Sequence, residues 1–405
     1  MTDSNTILAT IYSNKKQGVT TAFTGVLAES NVTILDIYQT TTHNNLSLNL
    51  LFNTDEERRK DVTSKLSSKA HKLEAAIHFS TISKKESKKW IYNKRKNRYI
   101  ITLLAQKLTS KQIAAVTHAI DKQKLFINNI ERLTDTTPLN TTVNNSAIEL
   151  YISGNPINKR ELQKELLKLS AKYNFDISFQ KDNIFRTMRR VICFDMDSTL
   201  IQTEVINELA IRAGVGDKVK EITELAMQGK MDFVDSFKQR VKLLKHLDVS
   251  IMKDIAENLP ITEGLNRLMP ILKKLGFKTA IISGGFTYFG MHLKNKYQFD
   301  YMYANELEIK DGRLTGNHIG PIIDAKKKAE IIKKIALKEK IDIRQTVAIG
   351  DGANDLLMME TAGLGIAYNA KPKVREAAKT SLSTVGIDGI LYFLGYKDAM
   401  LDNEL

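Results

Sequence analysis

Cysteine is almost absent from this chain, with Cys193 the single one among 405 residues. A lone thiol excludes an intramolecular disulfide and a zinc site made of paired cysteines, so we expect a reducing, cytoplasmic compartment. Long hydrophobic runs are missing too, because no stretch reaches the roughly 18 apolar residues of a membrane-spanning helix. The first residues also lack the basic segment and apolar stretch of a secretory signal. These absences predict no membrane partner.

Acidic residues are scarce in the N-terminal half, which carries most of the net charge of +14. Residues 1–190 hold 30 Lys and Arg against 17 Asp and Glu, whereas residues 191–405 hold 30 against 29. The basic excess is densest over residues 84–98, where Trp90 and Tyr92 lie among lysines and arginines. Basic and aromatic residues together suit single-stranded nucleic acid, but a solvated connector between two domains explains the same composition. We favour the connector and expect no nucleic-acid partner.

The chain is too long for one ordinary core, and its N-terminal half shows a degenerate internal repeat. Alternating apolar residues and helical periodicity predict a strand–helix–strand–strand–helix–strand unit over residues 1–83 and a second over residues 99–182. Such a βαββαβ unit folds as a ferredoxin-like sandwich of one sheet and two helices.

The two units resemble ACT domains, which often sense small molecules in enzymes of amino-acid metabolism. The first unit places Gly18 in KKQGVTTAFTGVLAE, between its first strand and first helix, where the family has a glycine. This glycine allows a tight turn and lets a ligand approach the backbone amides. The second unit has LTSKQIAA at the corresponding place and no glycine. The resemblance implies an amino-acid effector and a homodimer, and it leaves open that the units serve only to dimerise.

From Val191 onward, short apolar strands alternate with helices, which predicts a doubly wound parallel sheet within residues 186–405. In such sheets the ligand site lies beyond the carboxyl ends of the strands. A helical insertion follows the first of these strands, at about residues 204–260, and is well placed to close over the site. The predicted fold class is therefore α/β with a helical cap, preceded by two ferredoxin-like domains.

Polar residues follow three of the predicted strands. Asp195 and Asp197 end the strand that begins at Val191, and residues two apart in an extended chain point the same way. Two carboxylates held so close repel each other unless a cation or a shared proton relieves them. Further polar groups stand at the other strand ends and in a helix-like stretch between them: Ser283 and Gly284, Asp351, Asn354 and Asp355, and Lys328. The set predicts a site for an anion and a metal ion.

These segments read DMDST, SGGF and GDGAND. With Lys328 in KAEIIKKIA, they resemble the motifs of the haloacid-dehalogenase superfamily and, within it, of the phosphoserine phosphatases. The match covers about residues 192–378, although spacing alone leaves Lys326 and Lys327 as alternatives to Lys328. The resemblance implies hydrolysis of O-phospho-L-serine, with Mg²⁺ as cofactor.

The resemblance also implies a role for each motif residue. Asp195 attacks phosphorus as the nucleophile, and Asp197 moves the proton as general acid and base. Asp195, the carbonyl of Asp197 and Asp351 hold the metal ion, while Asp355 orients one of its water ligands. The phosphoryl oxygens are bound by the remaining residues: Ser283, the amide of Gly284, Lys328 and Asn354.

In the cap, the resemblance extends to residues that recognise the serine part of the substrate. Glu204 matches the family's ligand for the ammonium group, and Arg240 matches its partner for the carboxylate, where a guanidinium fork suits two oxygens. Met227 and Phe233 match apolar residues that close the pocket. Without the resemblance, these four would be better explained as surface charges and core residues of amphipathic helices.

Two alternative functions stay open. The C-terminal domain could act on another small phosphomonoester, or the chain could be an amino-acid-sensing or nucleic-acid-binding protein with a vestigial phosphatase domain. The intact carboxylates and Lys328 count against the second alternative.

Overall fold

The computed structural model describes residues 5–14, 17–83, 85–86, 97–135, 145–227 and 230–402. The chain divides into two compact units, residues 1–96 and residues 97–405. Most of the predicted basic connector, residues 84–98, lies outside the described residues.

The first unit is a four-stranded antiparallel sheet that packs on two helices. Its elements are β1 (Asn5–Ser13), α1 (Val19–Glu29), β2 (Thr33–Thr42), β3 (Asn45–Thr54), α2 (Glu56–Lys72) and β4 (Ala76–Ile82). In β3 every second side chain, from Leu46 to Phe52, is buried, because successive residues of a strand point to opposite faces. The strand order β2-β3-β1-β4 confirms the predicted ferredoxin-like fold.

A second βαββαβ unit opens the larger part of the molecule. Its elements are β5 (Arg98–Ala105), α3 (Ser110–Lys122), β6 (Phe126–Arg132), β7 (Ser146–Ser153), α4 (Lys159–Tyr173) and β8 (Asp176–Lys181). The strand order β6-β7-β5-β8 repeats that of the first unit. Its outer strand β8, however, pairs with a strand from the end of the chain, so the sheet continues into the C-terminal part.

The C-terminal part, residues 184–402, is an α/β core with a helical insertion. Its strands are β9 (Val191–Phe194), β10 (Lys278–Phe286), β11 (Tyr301–Lys310), β12 (Arg313–Ile319), β13 (Thr346–Gly350), β14 (Leu364–Tyr368) and β15 (Thr380–Leu382). Its helices are α5 (Ile184–Thr187), α6 (Val205–Arg212), α7 (Gly216–Met227), α8 (Phe233–Leu243), α9 (Ser250–Glu257), α10 (Leu265–Lys274), α11 (Thr287–Tyr297), α12 (Ala325–Lys338), α13 (Leu356–Thr361), α14 (Pro372–Ala377), α15 (Ile390–Phe393) and α16 (Asp398–Asp402).

All strands of this larger unit form one 11-stranded sheet, in the order β12-β11-β10-β9-β13-β14-β15-β8-β5-β7-β6. The strands from β11 through β10, β9, β13 and β14 to β15 pair in parallel, which confirms the predicted doubly wound sheet. The chain leaves β9 toward β10 on one side and later returns to β13 on the other. This reversal places a crevice at the carboxyl end of β9. The boundaries predicted at residues 182 and 186 stay a prediction, since the sheet runs across them.

The helical insertion consists of α6 to α9, and we call it the cap. The two chain segments that connect it to the core are hydrogen-bonded to each other: the Gln202 amide donates to the Pro260 carbonyl at 2.8 Å, and the Thr262 amide donates to the Leu200 carbonyl at 3.0 Å. The cap also rests on the hairpin of β11 and β12, where the His246 amide donates to the carbonyl of Leu314. Over the described residues, no helix has the length and apolar character needed to cross a membrane.

Candidate active site

The carboxyl end of β9 is the centre of the site. Phe194, the last residue of β9, pairs with Ile281 of β10 and with Ile349 of β13. The Asp195 amide extends this ladder by donating to the Ile349 carbonyl at 2.9 Å. Because the three strands are parallel and in register, the polar residues that follow them meet at one edge of the sheet. The strand VICF is apolar throughout, as expected for a strand covered on both faces.

Lys328 lies in the first turn of α12 and reaches into this edge. The side chain of Asp324 caps the helix by accepting from the Lys327 amide at 2.7 Å. The Lys328 Nζ donates to Asp195 Oδ1 at 2.7 Å and to Asp355 Oδ1 at 2.6 Å. Lys328 and Asp355 are 0 % exposed, whereas the Lys327 side chain is paired with Glu330 at the surface. The structure thus brings Lys328, rather than its neighbour, to the paired carboxylates.

Three carboxylates gather around one small volume. Oxygens of Asp195, Asp351 and Asp355 lie within 4.8 Å of one another. Burial raises the pKa of Asp195, and Asp355 raises it further. Burial and Asp355 raise the pKa of Asp351 to about 7. Burial alone would lower the pKa of Lys328, but Asp195 and Asp355 raise it above its ordinary value. Such a concentration of buried negative charge is the environment that a bound cation stabilises.

Asp197 stands apart from the three and faces the cap. Its Oδ1 accepts from the Val205 amide at 3.1 Å, at the start of α6. Burial raises its pKa well above the usual value, and Glu204 and Asp195 raise it further. The protonated carboxyl is therefore favoured, which suits a group that gives a proton away.

The end of β10, where the pairing with β11 becomes irregular after Ile282, forms a loop-like segment that supplies a hydroxyl and a closely approached backbone. The Gly285 amide donates to Ser283 Oγ at 2.9 Å. A Cβ at Gly285 would overlap Asp197 Oδ2, so only glycine fits there. The carbonyl of Gly284 accepts from Asn305 Nδ2 at 2.7 Å, and Asn305 Oδ1 accepts from the Ile323 amide at 2.8 Å. Asn305 therefore clamps this loop to the segment before α12.

Asn305 was missed by the sequence analysis. It lies in β11, outside the recognised motifs, and is 3 % exposed. A buried amide inside a strand needs hydrogen-bond partners, but its partners are backbone groups remote in sequence. No local pattern could have revealed them.

The cap residues approach the same edge of the sheet. Glu204 precedes α6 and accepts from Ser198 Oγ at 3.0 Å. Arg240 lies on α8, where Thr223 and the carbonyl of Ser236 accept its hydrogen bonds at 3.5 and 3.3 Å. Burial lowers the pKa of Arg240, while Glu204 and Asp197 act in the opposite direction. The guanidinium is thus within electrostatic reach of both carboxylates.

The remaining predicted site residues are placed as follows. The Phe233 ring lies 3.5 Å from where a Cβ on Gly284 would stand, so the cap approaches the end of β10 there. Asn354 lies beside Gly352, in the turn between Asp351 and Asp355. The side chain of Met227 lies outside the described residues.

Comparisons with known proteins agree with this architecture. The family model of the haloacid dehalogenase-like hydrolases matches residues 189–363, and that of the ACT domain matches residues 5–80. The phosphoserine phosphatase of Archaeoglobus fulgidus is 45% identical over 244 residues, which is 60% of this chain and 71% of that protein. The phosphoserine phosphatase of Streptomyces coelicolor is 36% identical over 397 residues, which is 97% of this chain and 93% of that protein.

A solved structure extends the comparison to three dimensions. The unliganded probable phosphoserine phosphatase of Vibrio cholerae is 33% identical, with a TM-score of 0.58, over 77% of this chain and 90% of that one. The similarity in sequence spans nearly the full chain, and the range matched by the hydrolase model contains the strand ends at Asp195, Ser283 and Asp351. The chain therefore belongs to the phosphoserine phosphatase family of haloacid dehalogenase-like hydrolases and carries an ACT domain near its N-terminus.

Proposed function

We propose that this chain hydrolyses O-phospho-L-serine to L-serine and phosphate, through an aspartyl-phosphate formed on Asp195. One observation carries the proposal: the buried Lys328 joins Asp195 and Asp355 at the carboxyl end of β9, below a cap that presents Glu204 and Arg240. The catalytic edge and the cap thus combine the groups for phosphoryl transfer with the groups that fit an amino acid.

The metal ion of this site is proposed to be Mg²⁺. The donors would be carboxylate oxygens of Asp195 and Asp351 with the backbone carbonyl of Asp197, while Asp355, in the same carboxylate cluster, would orient a water ligand; a hard oxygen set of this kind suits Mg²⁺. The buried, mutually repelling carboxylates fit a cation, as the raised pKa values of Asp195 and Asp351 indicate. When bound, the ion supplies Lewis-acid polarisation of a phosphoryl oxygen and neutralises charge.

The chemistry begins with a carboxylate oxygen of Asp195. It attacks phosphorus, and the bond between phosphorus and the serine oxygen breaks while Asp197 donates a proton to that oxygen. Serine leaves as the alcohol. Asp197, now ionised, accepts a proton from the water that attacks the aspartyl-phosphate, which releases phosphate and restores both carboxyl groups.

The phosphoryl group is proposed to be held by four groups around Asp195. Ser283 donates its hydroxyl and Gly284 its amide, while Lys328 supplies positive charge and Asn354 positions the oxygens. Such donors act because they are already in place when negative charge shifts during the transfer. The contact between Lys328 and Asp355, and the clamp that Asn305 puts on Gly284, would fix two of the four in position.

The cap is proposed to select the substrate. Glu204 would pair with the substrate ammonium group and Arg240 with its carboxylate, while Met227 and Phe233 exclude water. Glu204 and Arg240 carry opposite charges and interact electrostatically, as a zwitterionic substrate requires.

Phosphate release tests the proposal directly. The full chain, freed of divalent ions with EDTA, should release no phosphate from O-phospho-L-serine and should regain turnover when Mg²⁺ is added. Comparing phosphoserine with phosphothreonine and sugar phosphates separates this substrate from another small phosphomonoester. No turnover of any ester would favour the alternative of a vestigial phosphatase domain.

The ACT domain is proposed to bind an amino-acid effector and to help form a homodimer. Gly18 precedes α1 with φ +81° and has no side chain to cap the helix, whereas Thr109 closes the start of α3 with a capping box. This contrast supports an effector site in the first unit only. Calorimetry of the full chain with serine and glycine tests the effector, and light scattering tests the dimer. The cytoplasm remains the proposed compartment.

A further inference from the structure

A cavity of about 550 Å³ lies between the second βαββαβ unit and the C-terminal core, and we call it the junction cavity. Its walls come from α4 and β8 on one side and from α13, β14 and β15 on the other. Arg189 precedes β9, Arg344 precedes β13, and Leu364 begins β14. The junction cavity therefore lies at the amino ends of the parallel strands, whereas the catalytic carboxylates follow their carboxyl ends.

The walls of the junction cavity are strongly basic. Among the lining residues Glu360 carries the single carboxylate, against six cationic side chains: Lys159, Arg160, Lys181, Arg189, Arg344 and Lys379. Arg344 is already paired with Asp342 at 2.7 Å. For the other five cations, no carboxylate of a described residue lies within 4.0 Å. The cavity thus concentrates cationic side chains, most of which form no ion pair with a described carboxylate.

The lysines at the rim face one another. Burial lowers the pKa of Lys159, and the charges of Lys379 and Lys181 lower it further. The Lys159 ammonium is instead held 5.3 Å above the ring of Tyr99 and 5.9 Å above that of Phe179. Aromatic faces attract cations only weakly, so mutual repulsion among the three ammonium groups persists.

Arg189 provides a buried cation that, among the described residues, is hydrogen-bonded only to neutral groups. It is 8 % exposed, and its guanidinium donates to the Thr346 carbonyl at 3.2 Å and to Gln180 Oε1 at 3.0 Å. Both acceptors are neutral. Its Nε is buried without a hydrogen-bond partner among the described residues. A buried charge that has only neutral acceptors and one unused donor is destabilised unless an anion joins it.

We propose that the junction cavity binds a small phosphate-bearing anion, at a site separate from the catalytic carboxylates. A phosphate group offers several acceptor oxygens and two negative charges, which match Lys159, Lys379 and Arg189. The volume accommodates an inorganic pyrophosphate or a small organic phosphate. Because its ligands come from both sides of the junction, the anion stabilises the attachment of the second βαββαβ unit to the core.

Titration calorimetry with pyrophosphate tests the proposal on the full chain, at low ionic strength and with EDTA present. The site variant is Lys159→Ala/Lys379→Ala, and the matched control is Lys164→Ala/Lys168→Ala, which removes the same charge from exposed positions of α4. We expect binding to the unmodified chain, an affinity at least about tenfold weaker in the site variant, and a change below about twofold in the control. Phosphatase turnover of the site variant should be unchanged, which verifies its folding.

Several results would overturn the proposal. If pyrophosphate does not bind to the unmodified chain, the proposal is wrong. If it binds to the site variant with equal affinity, the proposal is also wrong, because the anion then binds elsewhere, including at the catalytic carboxylates. If the control variant loses as much affinity as the site variant, binding depends on overall charge rather than on this site. If citrate binds as tightly as pyrophosphate, the ligand class is carboxylates rather than phosphates. Displacement of pyrophosphate by a single-stranded oligonucleotide, dependent on the same lysines, would identify a nucleic-acid surface instead.

Discussion

The ammonium group of Lys328 stands between Asp195 at 2.7 Å and Asp355 at 2.6 Å, with no exposure to solvent. A lysine in this position is stable only because the carboxylates compensate the cost of its burial. The same contacts keep the carboxylate of Asp195 in one orientation. The proposed nucleophile, the lysine and the proposed metal-binding oxygens are therefore arranged before a substrate arrives, which is how positioned charge lowers a barrier.

At the scale of single residues, replacing Asp195 tests its proposed role as the nucleophile. Asp195→Asn keeps the shape and one acceptor oxygen but cannot form the acyl phosphate, so turnover of phosphoserine should fall by roughly 10⁴-fold or more. Phosphate release measures the loss, and circular dichroism should show an unchanged fold. Asp217→Asn, at an exposed position of α7, is the control with the same change of charge. Full activity in Asp195→Asn would refute the assignment.

Asn305 permits a second test at this scale. Asn305→Ala leaves the Gly284 carbonyl and the Ile323 amide without partners, which should cost about 2 to 4 kcal/mol of unfolding free energy. Because the clamp orients the segment proposed to bind phosphate, kcat should fall as well. Urea unfolding and steady-state kinetics measure the two effects. Asn317→Ala, on the neighbouring β12, should change neither; normal kcat in Asn305→Ala would show that the clamp serves stability alone.

At the scale of elements, the cap is joined to the core by a pair of hydrogen-bonded segments and supported by the β11–β12 hairpin. Both connections include backbone hydrogen bonds, and apolar packing of the cap, such as Phe237 beside Phe286, adds to them. This arrangement agrees with the proposed division of roles, in which the strand ends perform phosphoryl transfer and the inserted helices hold the groups that distinguish one ester from another.

Arg240 tests the role of the cap. Arg240→Ala should reduce kcat/KM for phosphoserine by about 10²-fold, since a charge-assisted contact to the substrate carboxylate is lost. Phosphoethanolamine lacks that carboxylate and should lose much less. Lys242→Ala, an exposed position on the same helix, should affect neither substrate. Equal losses for both esters would mean that Arg240 supports only the structure of the cap.

For the whole molecule, the continuous sheet makes the second βαββαβ unit part of the catalytic body. Asp176, at the start of β8, accepts from the amides of Ser383 and Thr384 at 2.7 and 2.8 Å, just after β15. The hydroxyls of Ser383 and Thr384 also donate to the same carboxylate, at 3.2 and 2.6 Å. The buried carboxylate of Asp176 thus links strand β8 of the second βαββαβ unit to the segment that follows β15 in the C-terminal part.

Differential scanning calorimetry tests whether the second βαββαβ unit and the C-terminal part unfold together. The two compact units should unfold in separate transitions, and Asp176→Ala should lower the midpoint of the larger unit alone, by about 5 °C. The loss follows from two partly buried amides left without an acceptor. Asp36→Ala, a substitution in the first unit, is the control and should leave the transition of the larger unit unchanged. A shift of both transitions by Asp176→Ala would mean that the units unfold together.

The sequence by itself determined the elements and the type of chemistry. Strand periodicity and Gly18 specify the first βαββαβ unit, and apolar VICF followed by Asp195 and Asp197 specifies a buried strand with a carboxylate site at its end. These features are local: side-chain alternation and the conformational freedom of glycine act within a few residues. Membership in a family could be recognised for the same reason.

Tertiary structure alone decided the rest. Only the fold shows that Lys328, rather than Lys326 or Lys327, reaches Asp195, because the choice depends on the rotation of α12 against the sheet. Only the fold reveals Asn305, the pairing of β8 with β15, and the basic junction cavity, since each unites residues remote in sequence. Long-range contacts follow from the packing of whole elements, and a local pattern carries no information about which distant partner completes them.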